Sequence, residues 1–120
     1  MSNLSIRDRR VAHFQYKGED IESLLINSQV IIIGRSAFAS TNLKEIVFDK
    51  DSSLEKIFAF AFHDCKHLKE ITFPATINRI GNNAFEGCSS LKKVRIPKTI
   101  RSIGNKAFKG ISNNAVIEYY

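Results

Sequence analysis

Residues 80–110 read IGNNAFEGCSSLKKVRIPKTIRSIGNKAFKG, and the pattern I-G-x-x-A-F occurs twice within them, at Ile80–Phe85 and Ile103–Phe108. Working outward, Ala-Phe pairs also end at Phe38 and Phe62, so the four phenylalanines follow one another at steps of 24, 23 and 23 residues. Five residues before each stands an isoleucine (Ile33, Ile57, Ile80, Ile103), and three before that another aliphatic (Val30, Leu54, Ile77, Ile100). Between them fall strand-like hexamers: LKEIVF at 43–48, LKEITF at 68–73 and LKKVRI at 91–96. A fixed period of this length marks a solenoid, in which each repeat is one supersecondary unit stacked on the next.

Alternation along each hexamer sends its fourth and sixth residues to one face, and the leading Leu turns in where the chain enters. Leu43, Ile46, Phe48, Leu68, Ile71, Phe73, Leu91, Val94 and Ile96 are therefore expected in the core, together with the four repeat phenylalanines. Successive hexamers should lie about 4.8 Å apart in a parallel sheet along one wall. Gly34, Gly81 and Gly104 follow the second Ile and suit a tight bend. Pro74 and Pro97 follow the hexamers, where proline ends a strand without removing a ladder bond. One such coil cannot offset the entropy of ordering its own chain, whereas stacked coils share their walls.

The same frame places a further strand at Ile21–Ile26 and an atypical last one at Asn114–Tyr119, with Ile117 and Tyr119 inward. About five coils follow. Residues 21–120 form the solenoid, and residues 1–20 read as an N-terminal cap. Val11–Tyr16 alternates and Lys17–Asp20 reads as a turn, which suggests an antiparallel hairpin. An imperfect extra coil is the other reading, because Phe14 sits near a repeat-Phe position.

The chain has 120 residues, 43% of them hydrophobic, and a formal net charge of +6. This suits one domain with a continuous core, and no run approaches a membrane span. The polar start MSNLSIRDRR shows no secretory signal, which points to the cytoplasm for a full-length chain and to the cell surface for a piece of a longer one. Charge is uneven: residues 1–86 are neutral, whereas Lys92, Lys93, Arg95, Lys98, Arg101, Lys106 and Lys109 face only Glu118 in residues 87–120. A bias of this kind attracts acidic partners, but nucleic-acid readers add stacking aromatics or a groove-entering helix, so nucleic acid is disfavoured.

Chemistry finds little support. Cys65 and Cys88 occupy the same repeat position, on adjacent rungs with parallel Cβ vectors, and read as buried thiols rather than a disulfide. His63-x-Cys65-x-His67 lacks the further ligands a zinc site needs, so no metal is expected. No third group orients a Cys–His pair, no Gly-rich loop cradles a phosphate, and Glu45 and Glu70 beside Lys44 and Lys69 read as solvated cross-strand pairs. No catalytic residue or cofactor is assigned, and the chain reads as a non-enzyme.

The segments Ile80–Gly110 and Leu54–Gly81 resemble the BspA-like leucine-rich repeats, whose signature I-G-x-x-A-F-x-x-C-x-x-L-x-x-I-x-I-P is almost complete at Ile80–Pro97. The resemblance covers about residues 21–120. It implies an α/β-type curved solenoid with a parallel β-sheet on the concave wall and little regular helix. Members are largely surface proteins of bacteria and of parasitic or commensal protists, associated with adhesion and host-protein binding. Phe58 and Ala59 depart from the usual Gly and its neighbour, so a reshaped and bulkier bend is expected there. Thr41 stands where Cys is usual.

These readings converge on a protein-binding module whose concave face presents Lys44, Glu45, Val47, Lys69, Glu70, Thr72, Lys92, Lys93 and Arg95. The alternative is an anionic-surface or nucleic-acid binder using the basic C-terminal coils. An uncapped Asn114–Tyr119 edge leads to the expectation of either a longer native protein or self-association through this end.

Overall fold

The computed structural model describes residues 2–120. Eleven strands occur: β1 (Asn3–Ile6), β2 (Arg10–Val11), β3 (Ser23–Ile26), β4 (Ile32–Ile33), β5 (Glu45–Phe48), β6 (Lys56–Ile57), β7 (Glu70–Thr72), β8 (Arg79–Ile80), β9 (Lys93–Ile96), β10 (Ser102–Ile103) and β11 (Val116–Tyr119). All pairings are parallel. The chain winds through about five turns of a β-solenoid, and no helix forms among the described residues. The α/β-type label is thus replaced by an all-β coil. Its return paths are two-residue strands and turns, which leave no room for a helical segment in a period of 22 to 25 residues.

Each turn has three sides. The hexamer strands make the first, β2, β4, β6, β8 and β10 make an unbroken five-stranded second, and the turns around the Ala-Phe pairs make the third. That third side is itself laddered. Phe14, Tyr16 and Gly18 donate their N–H groups to the carbonyls of Arg35, Ala37 and Ala39, each at 2.8 Å, and the pattern recurs from Ser36, Phe38 and Ser40 onward. Holding it places two residues per turn in the left-handed region, two before and two after the central ring. The first column is Phe14, Ser36, Phe60, Asn83 and Lys106, and the second is Gly18, Ser40, Asp64, Gly87 and Gly110. Glycine or Asn tolerates this backbone readily, but bulky Phe14 (φ 61°) and Phe60 (φ 60°) do so at a cost of about 1–3 kcal/mol each.

The core is a stack of rings: Tyr16, Phe38, Phe62, Phe85 and Phe108 lie 5.0–5.5 Å from their neighbours and within 11° of parallel. The fifth ring is Tyr16 rather than Phe14, set 22 residues before Phe38, the same step that separates Val11 from Ile33. The N-terminal segment accordingly adds parallel rungs, with Leu4 beside Leu24 and Val11 beside Ile33. The antiparallel hairpin expected there does not form; the extra coil does.

Of the expected core residues, Leu43, Ile46, Leu68, Ile71, Phe73, Leu91, Val94, Ile96, Phe38, Phe62 and Phe85 are buried. Phe48 and Phe108 are only half-buried. Phe108 faces the open end of the stack, and the last strand is exposed throughout, including Ile117 and Tyr119, which were expected inward. At the other end Ile6 and Val11 are covered, so the two ends differ.

Phe48 flanks an interruption. The hexamer strands form two three-stranded sheets, β1-β3-β5 and β7-β9-β11, with no ladder between β5 and β7. The continuous wall expected from the repeat is therefore split. Ile26, Phe73 and Ile96 stand four residues before the next core aliphatic, whereas Phe48 stands six before Leu54. Two added residues sit in an Asp49–Ser53 loop held by Asp51 N–H donating to Asp49 Oδ1 and Ser52 N–H donating to the Asp49 carbonyl. The longer connection releases β5 from the spacing that its neighbours keep.

Candidate functional site

The nine residues expected to present a surface are all exposed. They stand at the outward positions of β5, β7 and β9 and just before them, because the inward positions are taken by Ile46, Ile71, Val94 and Ile96. Register aligns them in columns. Ser23 lies beside Glu45 and Leu25 beside Val47 in one sheet, while Glu70 lies beside Lys93 and Thr72 beside Arg95 in the other. The split wall separates Lys44, Glu45 and Val47 from Lys69, Glu70 and Thr72. Lys44, Glu45 and Val47 face Lys69 and Glu70 across a cavity of about 430 Å³ that Ile46 also lines.

The expected cross-strand pairing of Glu45 and Glu70 with Lys44 and Lys69 is not seen. Lys44 instead reaches Glu22 on its own sheet, Nζ to Oε2 3.8 Å. Arg95 pairs with Glu118, Nε to Oε1 2.8 Å, and its guanidinium lies 4.7 Å from the centre of the Tyr120 ring. Among the described residues Lys69, Lys92 and Lys93 have no carboxylate within 4.0 Å. Such solvated charges contribute little to stability and are free to meet a partner. Leu25 and Val47, 38% and 45% exposed, form an apolar spot amid these charges.

A second cavity, also about 430 Å³, opens at the far end of the seam between Phe48 and Phe73 and includes Tyr120. The Tyr120 hydroxyl donates to the Phe73 carbonyl across 47 residues of sequence. Nothing in the repeat pattern points to this contact, because it depends on a terminal side chain folding back over β9.

Cys65 and Cys88 are free and fully buried. Each thiol donates to the carbonyl of the ring residue one turn earlier, Cys65 to Phe38 at 3.2 Å and Cys88 to Phe62 at 3.1 Å. Thr41 fills the same column, but its hydroxyl donates to the Phe38 carbonyl of its own turn at 2.9 Å and lies 3.4 Å from Cys65 Sγ. The Cys65 thiol and then burial push Cys88 well above the ordinary thiol range. Hydrogen bonding from Cys88 draws Cys65 the other way, against burial. A buried pair of this kind holds one shared charge at most, and neither sulfur is accessible to a substrate. His63 lies between Asp64 and Glu86, at 3.4 and 3.5 Å. No group of three metal-ligating side chains converges among the described residues.

Phe58, in place of a bend glycine, leaves the ladder intact: its N–H donates to the Ile33 carbonyl at 3.0 Å. The bend keeps its path, contrary to the expected reshaping, and the ring points outward, 37% exposed. At Gly81 a side chain has no such exit, since a Cβ would stand 2.6 Å from the Ala59 nitrogen.

The chain matches the family described as BspA type Leucine rich repeat region in six copies over residues 9–119. Among solved structures it is similar to the Treponema pallidum (T. pallidum) leucine-rich repeat protein, at 32% identity and a TM-score of 0.79, covering 83% of this chain and 47% of that one. It is also similar to a leucine-rich cell surface protein from Faecalibacterium prausnitzii A2-165, at 27% identity and a TM-score of 0.86, covering 96% and 31%. The pneumococcal vaccine antigen PcpA shares the fold at 23% identity and a TM-score of 0.78, covering 99% and 40%. This chain thus spans less than half the length of each of these. No curated protein matches it. No helix among the described residues is long and apolar enough to cross a membrane.

Proposed function

The chain belongs to the BspA-type leucine-rich repeat family, and from that premise we propose that it is a non-catalytic protein-binding module that uses the hexamer-strand wall. The observation that carries this reading is the exposed Leu25–Val47 pair within registered columns of charged side chains. An apolar centre with a polar rim on a rigid backbone is the arrangement of a protein-recognition surface. The contact residues are Lys44, Glu45, Val47, Lys69, Glu70, Thr72, Lys92, Lys93 and Arg95. A role in adhesion rests on the family resemblance, and the Faecalibacterium prausnitzii protein that shares this fold is described as a cell surface protein.

The test is an unbiased pull-down repeated with Lys92, Lys93 and Arg95 all changed to Glu and, separately, with Val47→Glu. Loss of the same partner from both variants supports the wall as the contact site. Retention of every partner by both removes it. The competing reading, capture of nucleic acid or an anionic surface by the basic end, draws on the unpaired Lys92 and Lys93. It requires affinity to fall linearly in log–log form as salt rises.

A further inference from the structure

A second patch lies on the third side of the coil, away from the hexamer wall. Phe14 and Phe60 share one column, two rungs apart and so about 10 Å from each other, with small Ser36 between them. The same column holds Asn83 and Lys106 in later turns. The two phenylalanines thus adopt a left-handed backbone that disfavours them, and neither ring joins the central stack. Phe14 is 53% exposed. Phe58 is equally out of place, standing where Gly34, Gly81 and Gly104 stand in other turns, with its ring 5.6 Å from that of His13 across the Gly34 notch.

Two cations complete the patch. Arg35 lies 5.8 Å from the centre of the Phe60 ring and Lys17 lies 5.7 Å from that of Phe14. Among the described residues neither has a carboxylate within 4.0 Å. Phe14 and Phe58 are exposed and Phe60 is half-buried; aromatics of this kind beside an unpaired Arg match the composition of interface hot spots. The guanidinium fork matches a carboxylate.

We propose that Phe14, Phe58 and Phe60, with Arg35 and Lys17, form a docking surface for an acidic protein segment that carries an aromatic or large apolar anchor. The anchor packs between the rings and flanking carboxylates reach Arg35 and Lys17. Left-handed backbone at Phe14 and Phe60 is retained because it projects the rings outward.

The probe is a fluorescently labelled peptide with one Trp flanked by Asp and Glu, compared with the same peptide carrying Lys in place of the acids, by anisotropy. Saturable binding of the acidic peptide alone is expected, weakened about tenfold or more by Phe60→Asn and by Arg35→Glu. The triple reversal at Lys92, Lys93 and Arg95 should leave this binding unchanged, which separates it from the hexamer-wall reading. Phe14→Asn and Phe60→Asn should unfold at the same or a higher temperature, since Asn suits the left-handed backbone. Absence of saturable binding, equal binding of the Lys peptide, or a lowered unfolding temperature in both Asn variants would overturn the proposal. Binding of an oligothymidine that Phe60→Asn abolishes would overturn it too, and assign the rings to nucleic-acid stacking.

Discussion

The rings of Phe62 and Phe85 lie 5.0 Å apart and 10° from parallel, at the centre of a five-ring column that threads every turn of the coil. Phe85 also stacks on Phe108 and meets Phe73 edge-on at 5.5 Å, so it joins the aromatic column to the hexamer wall.

Phe85→Ala should therefore destabilise the protein by about 3–5 kcal/mol, because its neighbours on both turns cannot collapse into the space. Phe108→Ala should cost less, about 1–3 kcal/mol, since that ring is already part-exposed at the open end. Chemical unfolding of both variants checks the order. Equal losses would show that the end ring is as well packed as the middle one.

Native Cys65 and Cys88 should react with a thiol reagent only as fast as the protein opens, and intact mass should show both sulfurs reduced. The raised Cys88 value carries a pH consequence. Below about pH 8.5 the thiol is protonated in both folded and unfolded chains, and its contribution to stability is fully present. Above that the unfolded chain loses the proton while the folded one keeps it, so stability falls as pH rises. Cys65, drawn down by Cys88, works the other way below that pH, so denaturation midpoints measured between pH 7 and 10 should fall only above about pH 8.5, and replacing both thiols by Ser should flatten the profile.

Hydrogen exchange should locate the seam. Alternation along the strands aims the N–H groups of Ile46 and Phe48 toward β7 and those of Glu70 and Thr72 toward β5, where no ladder receives them. These amides should exchange faster than those of Val47 and Ile71, whose sides of the strands are paired. Equal protection on both sides would mean that the two sheets close in solution.

The exposed last strand predicts association. Val116, Ile117 and Tyr119 are 64%, 41% and 51% exposed along an unpaired edge. Sedimentation should show a larger species at high concentration, dispersed by Ile117→Lys. A monomer at every concentration would exclude pairing through this end.

The period, the inward positions of each hexamer and the burial of both thiols were legible from residue spacing alone. Each turn repeats the same local problem, so each apolar position is confirmed three or four times over in the sequence. Thr41 could be placed in the Cys column for the same reason. Its contacts required coordinates: the hydroxyl bonds the Phe38 carbonyl of its own turn and lies 3.4 Å from Cys65 Sγ one turn on. Spacing also contained the step of 22 that makes Tyr16 the first ring, yet the alternation of Val11–Tyr16 competed with it. Only stacking against Phe38 distinguishes a fifth rung from a hairpin. The two extra residues after Phe48 were visible as well, but their effect was not. Whether a longer loop bulges outward or parts the strands is decided by how β5 and β7 balance ladder bonds against packing of Phe48 on Phe73. The exposed surfaces lie furthest from the sequence. A half-buried Phe60 and a fully buried Phe62 differ by two positions in the same turn, and only the left-handed backbone that directs the N–H ladder along the coil axis keeps one ring out of the core and sends the other into it.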